Sequence, residues 1–229
     1  IQPFDPASDL YQNILLQNGR FQRIHGYQLI EARRCLVSLS SGDTHAWFNA
    51  SLPQKLVLGD AGARDAALHA VQACIPHQTV IPVSVDEIAL SALNPGQSYR
   101  VFATEIADLG TELIYDIVIF DDTGKIVEHW RGLKLRAMGP PANLKLTALP
   151  LIAPFVERKM ATERPGADLR ISVFPFQDRW QNRHNRKNDT YRPDGKPDPS
   201  ENARFRSASY CEDWKCVVDS AQSVGCDLQ

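Results

Sequence analysis

The sequence predicts an α+β fold: a curved antiparallel sheet wrapped around one central helix, with a small α+β or partly disordered C-terminal extension. Three observations carry that expectation. Before residue 150, strand-like segments alternate with turn signals. One convincing long helix interrupts them, at 62–74, and Ala66, Ala67, Leu68, Ala70, Val71 and Ala73 make it apolar enough to be buried. After residue 150 the chain becomes proline-rich and then polar.

Taken in order, a short helix is expected at DLYQNILLQNG (9–19). Strands are expected at YQLIEARRCLVSLS (27–40), HAWFNASL (45–52), TVIPVSVDEIAL (79–90), QSYRVFATEIAD (97–108), ELIYDIVIFD (112–121) and KIVEHWRGLKLRAM (125–138). The last four read as successive antiparallel strands, because NPGQ, DLGT and DDTG place Gly, Pro, Asn and Asp where tight turns need them. DIVIFDDTGKIVEHW is the clearest hairpin, with Ile117, Ile119, Ile126 and Trp130 offering bulk to a core face. A sheet next to a single apolar helix buries its concave face by closing around that helix, which is the hotdog arrangement. The expected divisions are a hotdog at 1–139, a linker with one amphipathic segment at 140–166, and a further segment at 167–229. Within the last, DLRISVFPF (168–176) reads as a strand and 177–206 as a polar loop. SASYCEDWKCVVDS (207–220) and SVGCDL (223–228) read as a strand pair.

At 229 residues and 43% hydrophobic the chain has material for a sizeable core. A net charge of −2 argues against a general nucleic-acid binder. No apolar run approaches the roughly 20 residues of a membrane span, so no membrane partner is expected. No signal-peptide pattern is read, and the opening at Ile1 without Met is the expected mark of a piece cut from something longer. Cys35, Cys74, Cys211, Cys216 and Cys226 form no C-x-x-C pair, so reduced thiols in a cytoplasmic protein are expected rather than a zinc site.

Asp65 and His69 lie four apart on the apolar helix, hence on one face. Burial favours the protonated form of a carboxyl group, and an acid held protonated near neutral pH can give its proton to a leaving oxygen. A helix start pulls the other way. His69 is placed to orient the carboxyl group. The alternative is that Asp65 caps or decorates the first turn, with Arg64 as its solvent-side partner.

Here the chain resembles a known family. LGDAGARDAALHAVQACIPHQTVIPVSVDEIAL (58–90) is similar to the second half of a polyketide synthase dehydratase, where a D-A-A-L-(H/Q) helix precedes an LPV-like strand. YDIVIFDDTGKIVEHWRGLKLR (115–136) resembles that family's closing hairpin, and NGRFQRIHGY (18–27) its entry segment, with Gly19 unusually close to Phe21. The nearest resemblance is to the enediyne-type iterative synthases, over about residues 10–138. The resemblance implies a double hotdog that removes water from a β-hydroxyacyl chain on the phosphopantetheine of an acyl carrier protein, with no soluble cofactor or metal. It implies catalytic roles for Asp65, as the acid, and His69, as its orienting neighbour. The base implied by the family is a His in an H-x-x-x-G-x-x-x-x-P motif, and none of His25, His45, His69, His77, His129 or His184 has that context. This chain is therefore expected to need an upstream hotdog, other synthase domains or a homodimer partner. Arg20, Arg23, Arg33 and Arg34 are either a patch for an acidic carrier protein or a solvated face. The rival functions are a hotdog acyl thioesterase and a non-catalytic scaffold or docking hotdog.

RPDGKPDPSENARFRSASYCEDWKCVVDSAQSVGCDLQ (192–229) resembles the front of a phosphopantetheinyl transferase. Magnesium and coenzyme A are implied only if such a domain is complete. Tyr210 stands where that family has His and Gln229 where it has Glu, which leaves Asp227 as the one matching metal ligand. No transferase activity is expected of these residues. A polar loop with chance GKP and GCD triplets is the alternative.

Overall fold

The computed structural model describes residues 4–11, 13–42, 51, 59–91, 93–141, 148–166, 168–175, 205–211 and 214–222. The expected strand at 45–52 lies outside these residues except for Ser51, as do the segments at 176–204 and 223–229, Asp227 included.

Among the described residues one seven-stranded sheet is formed by β1 (Ile24–Ile30), β2 (Arg34–Ser40), β3 (Val80–Ser84), β4 (Glu87–Ala89), β5 (Ser98–Asp108), β6 (Glu112–Phe120) and β7 (Ile126–Ala137). Its order is β1-β2-β5-β6-β7-β3, with β4 also on β7 and every pair antiparallel. Helix α2 (Ala61–His69) runs on as a 3-10 turn, Ala70–Cys74, against the sheet. Ala63, Ala66, Ala67, Ala70, Val71 and Ala73 are fully buried. Small residues suit this position because the strands approach the helix backbone itself: the Tyr27 hydroxyl donates to the Ala70 carbonyl at 2.8 Å. The sheet wraps the helix, as the sequence predicts.

Four expectations are corrected. The helix expected at 9–19 is a single turn, α1 (Pro6–Asp9), capped by Asp5 with Pro6 at its first position. Beyond it Leu10, Tyr11, Ile14 and Leu15 are all buried, and satisfying these four anchors bends the chain into turns rather than a continuous helix. The segment at 27–40 is two strands, split where Glu31 N–H meets the Arg34 carbonyl at 3.0 Å. The segment at 79–90 breaks at Val85–Asp86 and pairs with β7 instead of its sequence neighbour β5, which makes β3 an edge strand among the described residues. Ile117, Ile119 and Trp130 are core residues, whereas Ile126 is 57% exposed because it sits at the hairpin end.

The region beyond residue 141 adds α3 (Leu149–Glu163) and a three-stranded sheet of β8 (Leu169–Pro175), β9 (Phe205–Cys211) and β10 (Trp214–Ser220), ordered β8-β10-β9. SASYCEDWKCVVDS thus forms a hairpin within itself, since Trp214 pairs with Cys211 and the register runs back to Phe205. Helix α3 packs on both sides: Leu151 enters the hotdog core, and Ala153 packs with Ile171, Val173, Cys216 and Val218. No helix among the described residues is long and apolar enough to cross a membrane.

Candidate active site

The N-cap of α2 is Asp60, not Asp65. Asp60 is fully buried, and its side chain accepts from Gly62 N–H at 2.8 Å and Ala63 N–H at 3.1 Å. Arg64 is likewise engaged elsewhere. Its Nη2 donates to Glu128 Oε1 at 2.6 Å and its Nε lies 3.1 Å from both carboxylate oxygens. Trp130 Nε1 donates to the same buried carboxylate at 3.1 Å. This bidentate contact holds the first turn of α2 on β7. It answers the question left by the sequence: Asp65 is neither the cap nor the partner of Arg64.

The stripe beside Arg64 holds Asp65, Leu68, His69 and Gln72, at the i, i+3, i+4 and i+7 positions. They line an open cleft of about 160 Å³ whose other walls include Leu16, Gln17, Ile81, Pro82 and Leu135. The Asp65 side chain is one-third exposed, so it is reachable, whereas His69 behind it is 5% exposed. His69 Nδ1 lies 3.1 Å from Asp65 Oδ2, off the line of a hydrogen bond, and neither atom has an aligned partner among the described residues. Such contacts tighten when substrate closes a site.

Two contributors were not singled out from sequence. Tyr11 places its hydroxyl 3.4 Å from His69 Nε2 and accepts from Ile24 N–H at 3.1 Å. Burial pushes its phenol above the usual tyrosine range, opposed by that amide. Gln72 donates to the carbonyls of Ile75 at 2.8 Å and Gln78 at 2.6 Å and accepts from Val80 N–H at 3.3 Å, tying the end of the helix to the start of β3. Tyr11 lies 58 residues from His69, so no periodicity reports it. Gln72 continues the 65–69 stripe and was visible in principle.

The remaining described histidines lie elsewhere. His25 is exposed and bonds Ser40 Oγ at 2.7 Å. His77 sits in a turn with its ring 6.0 Å from that of Phe155, where burial first and the Arg158 charge second push its pKa down. His129 is on β7. None lines the cleft. Of the basic residues, Arg34 is paired with Glu31, and Arg33 lies 3.5 Å from Glu105. No group of three or more metal-ligating side chains occurs among the described residues.

Residues 2–145, more than half of the chain, match the polyketide synthase dehydratase N-terminal domain. That description names the first domain, whereas the motifs at 58–90 resemble the second half; the two agree on a dehydratase hotdog. A search of curated proteins finds no match. Similar solved structures include the dehydratase domain from the CurJ module of the curacin polyketide synthase, at 18% identity and a TM-score of 0.48, covering 61% of this chain and 50% of that one. A trans-acyltransferase polyketide synthase enoyl-isomerase matches at 14% and 0.43, covering 52% and 46%. A hypothetical thioesterase with coenzyme A from Streptococcus pneumoniae TIGR4 matches at 12% and 0.39, covering 52% and 92%. The chain therefore spans about half the length of these two synthase structures and most of this thioesterase.

Proposed function

The chain belongs to the polyketide synthase dehydratase family, and on that premise we propose that it supplies the acid half of a dehydratase site. Asp65 protonates the departing hydroxyl of a β-hydroxyacyl chain on an acyl carrier protein, and a His from a partner hotdog removes the α-proton. The C–H pair becomes the new double bond, the C–O bond breaks, and the hydroxyl leaves as water with the proton from Asp65. No net oxidation occurs, so no soluble cofactor is required. The observation that supports this reading is the cleft itself. Among the described residues the ionisable groups lining it are Asp65 and the buried His69, so these residues supply an acid and no second, exposed base. Elimination requires both.

The motifs at 58–90 favour the second hotdog, and the enediyne-type resemblance favours an iterative synthase. The test uses a β-hydroxyacyl carrier protein followed by mass spectrometry, with this chain alone and with the polypeptide extended upstream by one hotdog. Loss of one water mass only in the extended polypeptide is the expected result. Release of free acid instead would identify a thioesterase, and intact substrate throughout a scaffold.

The partner hotdog belongs on β3 in this reading. Among the described residues that strand is a sheet edge directly beside the cleft, and Ile81 and Val83 on it are 42% and 44% exposed. An apolar strand at a sheet edge is a surface that proteins cover. Pro82 suits this position because, among the described residues, β3 pairs only with β7. Val83→Asp is expected to weaken binding of a separately produced upstream hotdog by about tenfold or more, read by calorimetry. Unchanged affinity would move the partner away from β3.

For 167–229 the GKP and VGCD motifs support a transferase-like segment, and Tyr210 and Gln229 stand against activity.

A further inference from the structure

We propose that Tyr11 is a positioning residue that fixes the tautomer of His69, so that Asp65 presents its proton to the cleft on Oδ1. The proposal rests on the reading of Asp65 as the acid. Tyr11 is 8% exposed, so its hydroxyl has to find protein partners. Its oxygen already accepts from Ile24 N–H at 3.1 Å. The acceptor left for its own O–H, among the described residues, is His69 Nε2 at 3.4 Å. A neutral imidazole that accepts at Nε2 carries its proton on Nδ1. That nitrogen faces Asp65 Oδ2 at 3.1 Å.

The consequence falls on the carboxyl group. Asp65 Oδ2 is buried against the imidazole, so the exposed third of the side chain leaves Oδ1 facing the cleft. The pair is off the hydrogen-bond line here, and once it closes with Nδ1–H turned onto Oδ2 a carboxylic acid carries its own proton on Oδ1, the oxygen open to substrate. After transfer, the same Nδ1–H faces the new carboxylate and stabilises it. With the other tautomer, Nδ1 would be an acceptor and would draw the acid's proton inward to Oδ2, away from the cleft. Tyr11 thus decides which oxygen is the donor without touching substrate.

The test is nitrogen-15 NMR of the full chain labelled at histidine, at a pH where the ring is neutral, with His69→Gln identifying the His69 signals. The expected spectrum shows a protonated Nδ1 and an unprotonated Nε2 in the unaltered chain, changing toward the opposite tautomer in Tyr11→Phe. Phenylalanine keeps the ring and removes only the hydroxyl, and the other five histidine signals report whether the fold persists. An Nε2–H tautomer in the unaltered chain overturns the proposal, whatever the variant does. So does an Nδ1–H tautomer that survives in folded Tyr11→Phe. In the assembled dehydratase, Tyr11→Phe is expected to lower kcat about tenfold, the scale of one hydrogen bond, with KM unchanged. It should add nothing further in a His69→Gln background, and an equal loss there overturns the positioning role. The NMR arm requires no turnover, so a wrong reading of Asp65 as the acid shows itself separately, as full water loss by Asp65→Asn.

Discussion

Asp65→Asn in the polypeptide extended by its upstream hotdog is expected to lower the rate of water loss by about 10²–10⁴-fold, the usual contribution of a positioned general acid. The amide has the same shape as the carboxyl group and no acidic proton to give. The geometry makes this a clean substitution. Asp60, not Asp65, caps the helix, and Arg64 is occupied by Glu128, so neither contact is disturbed. One-third of the Asp65 side chain already faces solvent, so little burial changes. The unfolding midpoint should therefore stay within the range of a surface substitution, roughly 0.5 kcal/mol. Mass spectrometry of the carrier-bound product, beside a urea titration of the same sample, checks both halves. Undiminished water loss would remove Asp65 from the reaction and with it the acid-half reading.

Arg158→Met is expected to destabilise the chain by about 3–5 kcal/mol, the scale of breaking a buried ion pair from one side. Arg158 projects from α3 into the hotdog and is 7% exposed. Its Nε donates to the Cys74 carbonyl at 2.8 Å, at the end of the central helix segment, and its Nη2 donates to Tyr115 Oη at 2.9 Å. Nη1 reaches Asp108 Oδ2 at 3.3 Å, and Nη2 also bonds Glu105 Oε2 and the Ala32 carbonyl. Methionine fills much of the same space but leaves Glu105, whose side chain is 1% exposed, with the Tyr115 hydroxyl and the half-solvated Arg33 as its side-chain partners among the described residues. An uncompensated buried carboxylate is the costly element, so Arg158→Met with Glu105→Gln should recover part of the loss. Urea unfolding of the single and double variants measures the coupling. A loss below about 1 kcal/mol for Arg158→Met would mean that α3 is held by its apolar contacts alone. The result also bears on how the chain can be cut: removing α3 strands the same carboxylate.

The parts of the fold that were readable were those set by local pattern. The 61–74 stretch is helical because its small apolar residues recur on one face, and β5, β6 and β7 fall where turn residues punctuate alternating segments. The 27–40 hairpin was hidden by its tight three-residue turn, in which Ala32 is buried rather than polar. The turns at 10–15 look helical in sequence because buried residues at Leu10, Tyr11, Ile14 and Leu15 mimic a helical stripe. Pairing order was not legible: nothing local in 79–90 says that it crosses to β7.

The sequence by itself determined the central apolar helix, the antiparallel sheet to cover it, and the Asp65–His69 pair on one helical face, because each follows from spacing along the chain. Only the tertiary structure decided that Arg64 turns away to Glu128, that Tyr11 comes to His69, and that α3 sends Arg158 into the hotdog. Those contacts join residues 43 to 126 positions apart. They are chosen by which buried donors and acceptors the folded core brings within reach, a condition that no window of sequence contains.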